Sequence, residues 1–257
     1  MNQEYFDHVG RACIETYSKF WPQDIKMYVY NEYMPFFKKR KNVAEIQWSN
    51  LGQQFTDFCN RTENTRIVQF AKKAFPIIHA MENLDFDRLI WLDADVATKI
   101  PLNQQLLDML SPDDVLSTHF GVNHEWPTDD DSERISFSCE TGFFILNKQH
   151  PMFEEFKNRY TEYYLKDLGY SLRRFYDGEV YGAVVNELES QGAKMLELNP
   201  GYVHKTPIPR SILAPYLQHY KAGAKDTMNN EEILALINAK TSINEAMSAI
   251  NRDDNEV

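Results

Sequence analysis

Two aspartates separated by one residue, Asp93-Ala94-Asp95, close the apolar run RLIWL at Arg88 to Leu92. In extended backbone, residues i and i+2 point the same way, so both carboxylates can face one cation. Hard oxygen donors suit Mg²⁺ or Mn²⁺, ions that also hold two phosphates of a nucleotide. Aspartates following a buried strand are costly unless paired or metal-bound. The same spacing recurs in Asp85-Phe86-Asp87 and Asp129-Asp130-Asp131, but without an apolar strand in front. The plain alternative is a surface turn in which one carboxylate caps the next helix.

The elements around this pair alternate. Apolar residues at 5, 6, 9, 13, 14, 17 and 20 fit a helix ended by Trp21-Pro22. Short strands are expected at 26–30 and 43–48, and a helix at 65–84 that Pro76 should kink or break. The continuous apolarity of 88–92 suits a strand covered on both faces. A helix at 101–110, strands at 115–120 and 142–146, helices at 153–168 and 179–188 and a strand at 194–198 follow. Residues 199–227 read as irregular and 231–250 as a last helix. This order predicts an α/β fold with a mostly parallel central sheet flanked by helices. Residues 1–227 form the main domain, and 228–257 a C-terminal helix with an acidic tail. In open α/β sheets ligands gather at the carboxyl ends of strands, where the aspartates lie.

The chain has 257 residues, 43% of them hydrophobic, enough for a sizeable core. Its net charge of −11 argues against general binding to nucleic acid or anionic membranes. No stretch approaches the roughly twenty apolar residues that span a bilayer, and the N-terminus carries no secretory pattern. Cys13, Cys59 and Cys139 lie far apart, so neither a disulfide framework nor a structural zinc site is expected. A cytoplasmic protein is the expectation.

RLIWLDADV, followed by Lys99-Ile100-Pro101-Leu102, resembles the metal-binding segment of GT-A fold glycosyltransferases. A second segment, His219-Tyr220-Lys221-Ala222-Gly223-Ala224-Lys225, is similar to one in glycogenin-like and bacterial galactosyltransferase-like retaining enzymes. The resemblance implies that Asp93, Asp95 and His219 hold a divalent cation against the diphosphate of a nucleotide-sugar, while Gly223 and Lys225 bind that diphosphate. An imidazole ligand suits Mn²⁺ better than Mg²⁺. Where the family has glycine three residues after the histidine and Pro-Trp after the lysine, this chain has Ala222 and Asp226-Thr227.

The resemblance also implies that Lys73, in FAKKAF at 70–75, reaches the nucleotide-sugar. Glu140, Thr141 and Gly142 would lie under the sugars, Gly142 allowing close backbone approach. Asp177 falls where these enzymes carry a donor-sugar aspartate, and Gly178 follows it in place of the usual glutamine. Asp177 and Glu140 are the candidates for the reacting centre. Asp177 also reads as a helix N-cap. The loop 119–137, with His119, His124, Glu125 and Trp126, reads as an acceptor lid or a plain surface loop, and His204 and Lys205 as further lining residues. In this fold the chain opens with a central strand. Residue 1 here sits where the following helix begins, so either the chain is a fragment or that strand is absent.

The function so implied is metal-dependent transfer of a sugar, with retention, from a nucleotide-diphosphate sugar (a UDP-sugar is favoured) to a glycan, lipid-linked or protein hydroxyl. Two alternatives stand beside it. One is a nucleotide-sugar or glycan-binding relic. The other is a haloacid-dehalogenase-like phosphatase, with Asp93 as nucleophile and Asp95 as acid/base, though the later acidic pair of that family is not found.

Overall fold

A computed structural model describes residues 1, 3–32, 40–124, 136–199, 207–220 and 229–239. The chain divides into two compact units: Met1–Gln47 with Ala94–Gln104 and Ile212–Val257, and Trp48–Asp93 with Gln105–Ser211.

The first unit opens with α1 (Gln3–Tyr5), a π-helical turn (Phe6–Gly10) and α2 (Arg11–Phe20), which Trp21 ends in extended conformation. A π turn interrupts the regular ladder, and the buried amide of Asn230 bonds at this place. Its Nδ2 donates to Phe6 O at 2.9 Å, and its Oδ1 accepts from Ala12 N at 2.8 Å. Strand β1 (Met27–Asn31) runs parallel to β2 (Val43–Gln47). The Met1 backbone bonds along β1, donating to Tyr30 O and accepting from Glu32 N. A second pair, β4 (Val96–Thr98) and β8 (Leu217–His219), is antiparallel with Val96 opposite His219. Thr98 ties this pair to α2: its amide donates to Thr16 Oγ1 at 3.0 Å, and its hydroxyl accepts from Trp21 Nε1 at 2.9 Å. Val9, Ala12, Phe20, Ala97, Tyr220, Ile233 and Ile237 form the core, the last two from a helical run at 230–239.

The second unit carries a four-stranded sheet in the order β3 (Arg88–Leu92), β6 (Ser136–Asn147), β5 (Ser117–His124), β7 (Met195–Glu197). Helices α3 (Gly52–Arg61), α4 (Thr65–Asn83), α5 (Gln104–Leu110), α6 (Phe153–Leu165) and α7 (Asp177–Ser190) accompany it, though α5 begins on the last residue of a first-unit segment. Asn64 caps α4 by accepting from the amides of Arg66 and Ile67. The expected break at Pro76 does not occur. Pro76 is buried with Ala74, Phe75, Ile77 and Ile78 on this helix, and their packing offsets the lost backbone bond. Phe58, Phe75, Tyr160, Tyr164, Phe175 and Tyr181 interlock in an aromatic core.

The sheet corrects one expectation. Of the described pairings, β1/β2 and β5/β7 are parallel, whereas β3/β6, β5/β6 and β4/β8 are antiparallel. The long strand β6 lies between β5 and β3 and is antiparallel to both. The predicted strand at 142–146 is therefore the second half of a strand starting at Ser136.

His119 belongs to the strand expected at 115–120 and not to the expected lid loop. It lies on β5 at 2% exposure, its Nδ1 3.2 Å from Ser117 Oγ, which in turn lies 2.8 Å from Tyr181 OH. Burial holds its pKa down to about 4. The unfolded chain takes up this proton near pH 6.5 and the folded chain only near 4. Stability is therefore complete above pH 6.5 and falls by up to about 3 kcal/mol as pH drops towards 4. Urea titrations at pH 7.0 and 4.5 should show this loss, and His119→Gln should flatten it.

Candidate metal and sugar site

In the first unit the β4–β8 ladder brings Asp95 and His219 together. Tyr220 N donates to Asp95 O at 2.9 Å, and His219 Nε2 lies 3.1 Å from Asp95 Oδ1. Both side chains are 4% exposed. Adjacent ligands around an ion with bonds of 2.0–2.2 Å lie about 3 Å apart, so this carboxylate and imidazole have the spacing and chemistry of two ligands of one cation. Asp93 precedes Asp95 by two residues, which limits the distance between their Cα atoms to about 7 Å.

In the second unit, three elements meet at Lys73. From α4, its Nζ lies 2.7 Å from Asp93 Oδ1 at the end of β3 and 3.1 Å from Asp177 Oδ2 at the start of α7. It donates to Thr141 Oγ1 of β6 at 3.0 Å, and Thr141 donates to Asp177 Oδ2 at 2.6 Å. Burial alone would lower the Lys73 pKa, but Asp93 and Asp177 together raise it well above the usual lysine value. Burial would raise Asp177, yet Lys73 and the hydrogen bonds from Thr141 and the Gly178 amide hold it below the usual carboxylate range. The result is a fixed ammonium between the carboxylates of Asp93 and Asp177, with Asp177 kept ionised.

A register irregularity positions Thr141. The β5/β6 pairing jumps from Thr118↔Ile145 to Phe120↔Glu140, leaving residues 141–144 opposite His119. Such an irregularity bends the strand and re-aims its side chains. Within it, Gly142 O accepts from Asp93 N at 2.9 Å, and Gly142 N donates to Glu140 Oε1 at 3.0 Å. Asp177 is the first residue of α7 and Tyr176 holds the cap position, so Asp177 faces Lys73 and Thr141 instead of closing the helix end. A Cβ at Gly178 would meet the backbone oxygen of Cys139 at 2.4 Å. That contact is the physical reason no larger residue stands there. Gly178→Ala should cost about 1–3 kcal/mol by displacing α7 from β6, measurable by chemical denaturation.

Trp91 is a site residue that the motif search missed. Its Nε1 donates to Asp93 Oδ1 at 2.8 Å while its ring stacks on Phe144. The signal was the strand period, since residues 91 and 93 share a face. Gly223 and Lys225 lie outside the described residues, as do Glu125, Trp126, His204 and Lys205, while the described backbone of β5 includes His124.

No family model matches this sequence, and no curated protein does. Solved structures do. The bifunctional glycosyltransferase WbbM in its apo form matches with a TM-score of 0.55 and 15% identity, over 92% of this chain and 48% of that one. The galactosyltransferase LgtC, in complex with donor and acceptor sugar analogs, matches with a TM-score of 0.51 and 14% identity, over 93% and 94%. This chain has a GT-A glycosyltransferase-like fold. Against WbbM it spans about half the other chain's length.

Proposed function

We propose that this protein is a metal-dependent glycosyltransferase that moves a sugar from a nucleotide-diphosphate sugar, preferably a UDP-sugar, to a hydroxyl acceptor with retention of configuration. The observation that carries the proposal is the buried Asp95–His219 pair, ligand-like in spacing and tethered to Asp93 through Ala94 alone. Asp93, Asp95 and His219 would hold the cation, with Mn²⁺ favoured by the imidazole. The ion would supply charge stabilisation to the departing diphosphate.

The chain's own residues do the rest. Lys73 fixes Asp93 and Asp177 in place, and Trp91 holds the same Asp93 oxygen from the strand side. Asp177, kept ionised, accepts a hydroxyl of the donor sugar, with Thr141 and the backbone at Gly142 beneath it. Glu140 stands at the reacting centre, and Gly223 and Lys225 bind the diphosphate. The likeness to a galactosyltransferase solved with donor and acceptor analogs supports this reading at the level of the fold.

The test is a thermal-shift screen with UDP, GDP and their sugars, with and without Mn²⁺, followed by a hydrolysis and transfer assay on the nucleotide-sugar that binds. A metal-dependent rise with turnover supports the transferase. A rise without turnover identifies a binding relic, and no rise with any nucleotide overturns the donor site. Release of inorganic phosphate from a phosphomonoester would instead favour the phosphatase alternative.

A further inference from the structure

The two carboxylates proposed to hold the cation keep different company. Asp95 faces the imidazole of His219, a side chain that is itself a metal ligand. Asp93 faces the ammonium of Lys73, and its Oδ1 is held twice, by Lys73 Nζ at 2.7 Å and by Trp91 Nε1 at 2.8 Å. An ammonium has three donors and no lone pair for a metal. Lys73 therefore cannot share a cation with Asp93 as a fellow ligand. It competes with the cation for the same carboxylate.

The second unit also gives Lys73 an alternative. Its Nζ lies 3.1 Å from Asp177 Oδ2 and donates to Thr141 Oγ1 at 3.0 Å, while the Trp91 ring centroid is 5.8 Å away. A lysine is a point charge on a flexible stem. On yielding Asp93 it keeps an anionic partner, so no unpaired charge is left buried. Charge then separates two forms of the cation. A free divalent ion at Asp93 meets an adjacent ammonium where the two side chains are only 14% and 26% exposed, so solvent and salt screen the repulsion poorly. An ion that arrives on a nucleoside diphosphate brings net negative charge and phosphate oxygens that an ammonium binds.

We infer that Lys73 is an internal counter-ion that holds Asp93 against free divalent ions, so that the site takes its cation together with the diphosphate. The inference rests on the transferase reading for the identity of that ligand. Lys73 has a positioning role in it, acting on the cation through Asp93.

Titrations of the full chain with Mn²⁺, in which the electron paramagnetic resonance signal counts the free ion, would be run with and without UDP. The parent chain should bind Mn²⁺ at least tenfold more tightly with UDP present, and by linkage Mn²⁺ should tighten UDP by the same factor. Lys73→Gln keeps a donor for Thr141 and removes the charge. It should bind Mn²⁺ alone at least tenfold more tightly than the parent and lose most of the coupling, whereas Lys73→Arg should behave as the parent. A merely structural lysine predicts the opposite sign, weaker Mn²⁺ binding in Lys73→Gln. Unchanged or weaker binding in a Lys73→Gln chain that circular dichroism shows to be folded would overturn the inference. So would a parent chain that binds Mn²⁺ equally well alone and with UDP, whatever the variants do. Mn²⁺ binding by Lys73→Gln beside a parent that binds none, even with UDP, would support the counter-ion and overturn the donor site. No Mn²⁺ binding by either chain would overturn both.

Discussion

Asp95→Ala is expected to abolish the Mn²⁺-dependent rise in melting temperature with the donor nucleotide and to lower transfer about a thousandfold. A ligand held only by the native state at a hundred times its dissociation constant adds about 2.7 kcal/mol, or about 5–10 °C for a chain of this size. The rate effect follows from losing several kcal/mol of charge stabilisation on the leaving diphosphate, at about 1.4 kcal/mol per tenfold. Asp95 is 4% exposed and lies 3.1 Å from the imidazole of His219. His219→Ala should reproduce the loss. Asp113→Ala should not, because Asp113 is fully exposed and pairs with Arg88 at the opposite end of β3 from Asp93. A metal-dependent shift that survives in both Asp95→Ala and His219→Ala would remove these residues from the cation site.

Lys73→Met should have the second largest effect, on stability as well as activity. The ammonium is 14% exposed at its side chain and faces Asp93 and Asp177 at 2.7 and 3.1 Å. Removing one partner of a fully buried pair costs about 3–5 kcal/mol, and partial exposure reduces this to about 2–4 kcal/mol. The pH dependence gives a sharper signature. In the parent chain the Asp177 pKa is depressed, so its stabilisation is present above about pH 4 and is lost as pH falls through the lower native value. Without Lys73, burial dominates and pushes Asp177 upward, so the variant should regain relative stability on mild acidification. Asp177→Asn in the Lys73→Met background should therefore cost less than the sum of the single changes. Strict additivity, or an unchanged acid limb, would show that the three-residue network carries no coupling energy.

How much of this was legible beforehand differs from residue to residue. The pair Asp93 and Asp95 was readable as a candidate because it follows directly on an apolar strand, but the strand ends at Leu92 and a turn at Ala94-Asp95, not a period of two, carries the chain between them. The helix around residues 3–20 was readable from apolar spacing, and those at 65–83 and 177–190 from long runs free of strand-like alternation, although both bury more than one face. Helix α4 runs through Pro76 without a break, because the packing that offsets the lost backbone bond comes from other elements, which local propensity does not include.

The network around Lys73 lies at the other extreme. Lys73, Thr141 and Asp177 stand on α4, β6 and α7, and nothing in their separate segments states that one ammonium, one hydroxyl and one carboxylate share hydrogen bonds. Resemblance nominated each of them, but only the folded chain showed that they bond to one another. The register shift in β6, which aims Thr141, depends on how two strands pair, and pairing is a long-range event. The same holds for β6 lying antiparallel between two neighbours, where alternating elements suggested a parallel sheet. Asp95 and His219 likewise meet because β4 pairs with β8 across most of the chain. His119 reads as polar in sequence, yet strand pairing buries it. Composition and short-range periodicity thus set which segments form helices and strands and place Asp93 directly after β3, because those depend on neighbours a few residues away. Strand partners, bulges and the charges that face each other were decided by the tertiary structure, because those terms arise only between elements that the sequence holds far apart.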